Sequence, residues 1–223
     1  MDKILLDEVS ALDYIERNIS SCLSEKIEVI DDRFHHNTRY EDAISIIKNG
    51  ILPAKELVRL GICSNYDDIL DIMVDIESHV NGSDSISLAV MGLTDLSPDE
   101  FEYDPFSEKL VDFLITGSIP ARRVTTNYGN EYLSDRSICN DKFRSVDIRL
   151  LSLIQSIRKS TCEKGKREDS IKLLINNYNR LREIACIMRD MKLNIPLREM
   201  SSNECTTIDI NKISSMPKVK IKS

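Results

Sequence analysis

Two short stretches of the chain carry residues able to do chemistry. The run Arg33-Phe34-His35-His36-Asn37-Thr38 sets two of the three histidines side by side in a strand-like passage. Residues 109–115 (KLVDFLI) hold one carboxylate, Asp112, inside an apolar run of strand character. Histidine changes charge near neutral pH, so it serves as acid, base or hydrogen-bonding ligand. An acid within an apolar strand must face solvent, a partner or a pocket, because burying a lone carboxylate is costly. Arg122 and Arg123 form a pair suited to holding a phosphate. Each feature also has a plainer structural reading: histidines hydrogen-bonded near a strand end, an acid on the outer face of an edge strand, arginines in solvent.

Other chemistries find no matching pattern. Cys22, Cys63, Cys139, Cys162, Cys186 and Cys205 are scattered, with neither a C-x-x-C pair nor a Cys/His cluster. No metal site and no disulfide framework is therefore expected, only ordinary and mostly buried thiols. The seven glycines are dispersed, without a phosphate-binding loop or a dinucleotide fingerprint, and neither H-E-x-x-H nor G-x-S-x-G occurs.

The elements that must position these residues follow from periodicity. Apolar steps of three and four predict a helix over 5–24 (Leu5, Val9, Leu12, Ile15, Ile19, Leu23). Strand-like passages follow at 28–30 and 33–38. A helix over 40–49 is closed by Gly50, and Pro53 opens a short helix to about residue 60. A helix over 66–79 with Asn65 as its cap, a turn at Asn81-Gly82-Ser83, and a strand over 85–91 (SISLAVM) come next. Residues 94–107 read as a long polar loop. After the strand at 109–115, Gly117 and Pro120 break the chain before a further strand at 122–126. From 141 the pattern turns helical: Phe143, Val146, Leu150, Leu153 and Ile157, then Ile171, Leu174, Tyr178, Leu181, Ala185 and Met188. This predicts an αα-hairpin with coiled-coil-like seams, serving either as a dimerisation or partner-binding arm or as a pair packed on the rest of the chain. The expected organisation is a domain over 1–140, a hairpin over 141–199 packed on it, and a polar, basic and mobile tail over 200–223.

Charge divides the same way. Residues 1–140 carry 27 acids and 12 bases, whereas 141–223 carry 10 acids and 18 bases. A basic end of this kind meets nucleic acid or another acidic partner, or simply complements the acidic part. No apolar run approaches the roughly 18 residues needed to span a bilayer. Acids interrupt the apolar N-terminal stretch, so a cytoplasmic protein without membrane contact is expected.

Taken in order, the pieces resemble the ADP-ribosyltransferase fold, particularly the DNA-thymidine ADP-ribosyltransferase toxins and their relatives. In those proteins a strand ends in His (or Arg)-x-Thr, matched here by His36-Asn37-Thr38. A helix leads into an I-L-x-x-G-I phrase, matched by Ile46-Ile47-Lys48-Asn49-Gly50-Ile51-Leu52. A middle strand of the I-S-L-S kind corresponds to Ser85-Ile86-Ser87-Leu88-Ala89. An acid-bearing strand corresponds to Leu110-Val111-Asp112-Phe113-Leu114-Ile115, and an I-P step to Ile119-Pro120. The likeness spans residues 33–126.

The resemblance implies an α+β fold with a split mixed β-sheet of ADP-ribosyltransferase type, followed by the helical C-terminal hairpin. It implies NAD as a substrate and transfer of ADP-ribose to a macromolecular target, protein or nucleic acid, with a toxin- or defence-like role. His36 would contact a ribose hydroxyl, with the Asn37 backbone near the nicotinamide amide and Thr38 closing the motif. His35 competes for that role, because a slip of one residue reverses the face of a strand. Ser87 would sit on the strand flooring the nicotinamide pocket. The catalytic acid falls at Asp112, or at Glu108 in a shifted register. A carboxylate there stabilises the oxocarbenium character of the breaking nicotinamide–ribose bond, and the ribose contact fixes the sugar. Tyr66, Tyr103 and Phe106 are candidates to stack on the nicotinamide. The family generally carries glutamate where this chain has the shorter Asp112. The alternative is thus a catalytically degenerate relative acting as a binding or inhibitor module.

Overall fold

The computed structural model describes residues 3–27, 34–62, 86–88, 110–126, 129–159, 164–201 and 204–222. Strand β1 (Lys3–Leu6) precedes helix α1 (Glu8–Cys22), which starts where the Asp7 side chain accepts a hydrogen bond from the Ser10 amide. Its buried stripe, Ala11, Leu12, Ile15, Ile19 and Cys22, repeats at helical spacing. Strands β2 (Leu23–Ile27) and β3 (Phe34–Thr38) follow. Helix α2 (Tyr40–Asn49) ends at Gly50, and helix α3 (Ala54–Arg59) starts after Pro53. Gly50 adopts φ +81° and ψ 179°, a region open essentially to glycine alone. A Cβ there would collide with the carbonyl oxygen of Ile138, whose backbone exchanges two 2.9 Å hydrogen bonds with Ile51.

Strands β4 (Ile86–Leu88), β5 (Val111–Ile115), β6 (Arg122–Thr126), β7 (Gly129–Ser134) and β8 (Phe143–Ile148) lead into helices α4 (Leu150–Lys159) and α5 (Lys164–Asp190). The chain then adds β9 (Leu197–Ser201), β10 (Glu204–Ile208), helix α6 (Ile210–Ser215) and β11 (Lys218–Ile221).

The result is a mixed α+β protein. Its main sheet has six strands in the order β2-β10-β9-β8-β5-β3. All neighbours in it run antiparallel except β8 and β9, which are parallel. A separate sheet has the order β4-β7-β6, and β1 pairs with β11 in a parallel ribbon. Phe34 of β3 and Tyr132 of β7 bring their rings to 5.0 Å, joining the two larger sheets.

One face of the main sheet carries Val111, Phe113, Ile115, Phe143, Val146, Ile148, Leu197 and Ile208, all in the core formed with the helices. The Phe113 and Phe143 rings lie 5.0 Å apart at its centre. The stripe of the α4–α5 pair is used within this core: Leu153, Ile157, Leu174, Tyr178, Leu181 and Met188 are at most 2 % exposed. Arg158 also reaches Asp13 and Glu16 of α1 at 2.7 and 2.5 Å.

Several sequence expectations change. The helix predicted from 143 is strand β8 followed by α4. A register irregularity opposite Leu114 and Ile115 puts Phe143 and Val146 on one face of β8 three residues apart, a helix-like step that runs on into the apolar residues of α4. Helix α1 is shorter than 5–24: Leu5 belongs to β1, and both Leu5 and Val9 are exposed. Residues 200–223 are not a loose tail, since β10 lies between β9 and β2, and Val219 of β11 is fully buried. Residues 1–140 and the chain beyond them share one sheet, because β5 and β8 are neighbours in it. Of the four described cysteines, Cys22 and Cys205 are buried, Cys186 is half-buried and Cys139 is exposed; all four are free thiols. The strand read at 28–30, the helix at 66–79, the turn at 81–83 and the loop at 94–107 lie outside the described residues.

Candidate functional site

Alternation along β3 decides which histidine meets the acid. Asn37 is paired directly with Asp112 across β3 and β5, so His35, two residues away, shares the Asp112 face. His36, Phe34 and Thr38 are on the other face. His35 Nδ1 lies 2.7 Å from Asp112 Oδ2, with both residues buried. The residue taken as the first choice for the ribose contact, His36, therefore does not share a face with Asp112, whereas its competitor His35 does.

The polar row continues across the sheet. Asp112 is opposite Asp147 on β8, Asp147 is opposite Arg198 on β9, and Arg198 is opposite Thr207 on β10. Arg198 holds Asp147 in a two-pronged contact, Nε to Oδ1 at 2.6 Å and Nη2 to Oδ2 at 2.5 Å. Asp112 and Asp147 are 1 % exposed and Arg198 is 4 % exposed. Burial pushes the Asp147 carboxyl above the usual range; Arg198 pulls it down, and the charge of Asp112 adds to the rise. Asp112 Oδ1 and Asn37 Oδ1 are buried acceptors without a hydrogen-bond donor among the described residues.

Glu199 takes the opposite side of β9. Its carboxylate accepts from the Leu151 amide at 2.8 Å and the Leu150 amide at 3.2 Å, capping the start of α4 from another strand. Burial pushes it up to about 8, against the pull of those amides and of Arg149.

Chemically, an ionised Asp112 makes His35 Nδ1 the donor, which leaves Nε2 of a neutral ring as an acceptor. That is the arrangement of an oriented base or hydrogen-bonding ligand. Among the described residues no three His, Cys, Asp or Glu side chains gather as metal ligands. Both oxygens of Asp147 are in any case occupied by Arg198.

The remaining expected residues are dispersed. Ser87 pairs with Leu133 in the three-stranded sheet, and its strand β4 lies beside β3. Arg122 and Arg123 are exposed on β6, with Arg122 Nε 3.8 Å from Asp135. Glu108 and the aromatics Tyr66, Tyr103 and Phe106 lie outside the described residues. An open groove of about 540 Å³ runs between α5 and β11, lined by Lys172, Asn176, Asn179, Val219 and Lys220, away from the His35 row. No described helix is long and apolar enough to cross a membrane.

Asp147, Arg198 and Glu199 were missed from the sequence. For Asp147 a signal existed: SVDIRL repeats the acid-in-an-apolar-run pattern of LVDFLI. Arg198 and Glu199 carried none: they fell in the hairpin expected over 141–199, and nothing local marked Leu197–Ser201 as a strand.

Comparison with protein-family models, curated proteins and solved structures finds no match to this chain.

Proposed function

We propose that the protein binds NAD and transfers ADP-ribose to a macromolecular target, with His35 rather than His36 contacting the ribose and Asp112 as the acid. The observation carrying this reading is the 2.7 Å contact between His35 and Asp112 on adjacent strands. The sequence order of the resemblance demands a histidine strand and an acid strand working together, and β3 and β5 are such neighbours. Two adjoining sheets, one with β3 and β5 and the other with the Ser87 strand, further support a split-sheet architecture.

A second reading has an observation of its own. Asp112 is 1 % exposed and gives one oxygen to His35, which favours a fold kept as a binding module without transfer chemistry.

A thermal-shift titration with NAD, paired with an assay for nicotinamide release, separates the two. The transferase reading expects a saturable rise in melting temperature. It expects that rise to be lost in His35→Ala and retained in His36→Ala, with nicotinamide release lost in Asp112→Asn. Binding without release supports the module. No shift at millimolar NAD removes both NAD-dependent readings.

A further inference from the structure

We propose that the open edge of β1 is a self-association strand: two copies of the chain join there antiparallel, about a two-fold axis through Leu5, and extend the β1–β11 ribbon to four strands. The proposal is independent of the NAD reading.

The two edges of the ribbon differ. Asn179 of α5 closes the β11 edge, its Nδ2 donating to the Val219 carbonyl at 2.9 Å and its Oδ1 accepting from the Val219 amide at 3.0 Å. Among the described residues no strand pairs with the other edge of β1. The Leu6 carbonyl accepts from the Lys222 amide at 2.9 Å, so Leu6 turns its backbone groups toward β11. By alternation Leu5 and Lys3 turn theirs outward. An open edge of this kind is a template for another strand.

Side chains alternate as well. Ile4, Leu6, Val219 and Ile221 pack into the core, which leaves Lys3, Leu5, Lys218 and Lys220 on the outer face. Leu5 is 56 % exposed there. Lys3 stands directly opposite Lys218, and like charges so placed repel. Neither lysine forms an ion pair among the described residues.

The chain stays extended through Asp7 (φ −71°, ψ 169°) before α1 begins. The stretch Lys3-Ile4-Leu5-Leu6-Asp7 is therefore complementary to its own reverse. Antiparallel pairing centred on Leu5 sets Leu5 against the partner's Leu5, Ile4 against the partner's Leu6, and Lys3 against the partner's Asp7. Each Lys3 gains an acid on the side away from Lys218, and the two exposed leucines cover each other. Asp7 accepts from the Ser10 amide and hydroxyl, and its carboxylate has lone pairs left for a lysine. Centring the axis on Lys3 or on Asp7 would instead oppose like charges. The contact is short, so the dimer is weak and reversible.

Sedimentation velocity of the full chain from about 5 to about 500 µM should show a reversible monomer–dimer equilibrium. Leu5→Lys puts two like charges on the axis and should leave a monomer at every concentration, with the melting temperature unchanged because Leu5 lies in solvent. Asp7→Asn keeps the α1 cap but removes the charge opposite Lys3, so dimerisation should weaken about fivefold. Mild oxidation of Leu5→Cys reads the register. It should give a disulfide-linked dimer, since opposed residues in an antiparallel pair have Cα atoms about 5.5 Å apart. Lys220→Cys, on the same face but one strand further from the axis, should link no more than the wild type, whose Cys139 is exposed. A chain still monomeric at about 500 µM, a dimer that survives Leu5→Lys, or equal linking at residues 5 and 220 would each overturn the proposal. A monomer would leave the edge to a strand from another protein.

Discussion

Asp112 and Asp147 stand directly opposite each other on strands β5 and β8 of the main sheet, and each is answered from its other side, Asp112 by His35 and Asp147 by the fork of Arg198. A histidine, two adjacent acids and an arginine thus cross four strands in one buried row. A row of this kind is sensitive to removal of any single member, because a buried charge left without its partner carries its full desolvation penalty.

Arg198→Gln should accordingly destabilise the protein by about 3–5 kcal/mol. Replacing the pair together, as Asp147→Leu/Arg198→Met, should cost far less or even stabilise, since no buried charge is stranded. Urea denaturation of the two variants checks this, and equal losses would mean that the pair is not acting as a unit.

Glu199 predicts an unusual pH dependence. Its folded value of about 8 lies above the ordinary 4.5, so the fold favours the protonated form. The stability this contributes is complete below about 4.5 and is lost as pH rises through about 8. Asp147, also raised, acts with the same sign. Stability measured from pH 5 to pH 8.5 should therefore fall by a few kcal/mol in the wild type, and by less in Glu199→Gln. A Glu199→Gln profile as steep as that of the wild type would contradict this assignment.

Gly50→Ala combines a backbone conformation that alanine resists with a collision against the Ile138 carbonyl. A loss of about 2 kcal/mol or more is expected in chemical denaturation. An effect within about 0.5 kcal/mol, the usual range for a harmless surface change, would show that the Ile51–Ile138 bridge yields easily.

Deleting residues 202–223 should abolish cooperative folding. The deletion takes away β10, which joins β2 to β9, as well as α6 and the buried Val219 of β11. Circular dichroism melts and one-dimensional NMR provide the check; a truncated chain that melts like the full one would restore the picture of a loose tail.

Much of the local structure was readable from the chain. Helix α2 over Tyr40–Asn49 with Gly50 at its end, α3 after Pro53, strand β6 over Arg122–Thr126 and the acid strand β5 are all legible in periodicity, capping and turn chemistry. These signals act over a few residues, so the sequence states them directly. Asp112 was legible as an anomaly for the same reason, a charge set among apolar neighbours.

Pairing decided the rest. Which of two adjacent histidines meets Asp112 depends on the register of strands separated by 77 residues, and one residue of slip would exchange His35 for His36. Strand β8 resembled helix because an irregularity in its pairing with β5 sets Phe143 and Val146, three residues apart, on one face. Residues 200–223 resembled a tail because β10 and β11 find their partners far away, in β2 and β1. The sequence by itself determined where α2 and α3 begin and end, and which residues are chemically conspicuous. Only the tertiary structure decided which of them meet, because strand partners and the burial of a carboxylate depend on contacts between segments remote in the chain.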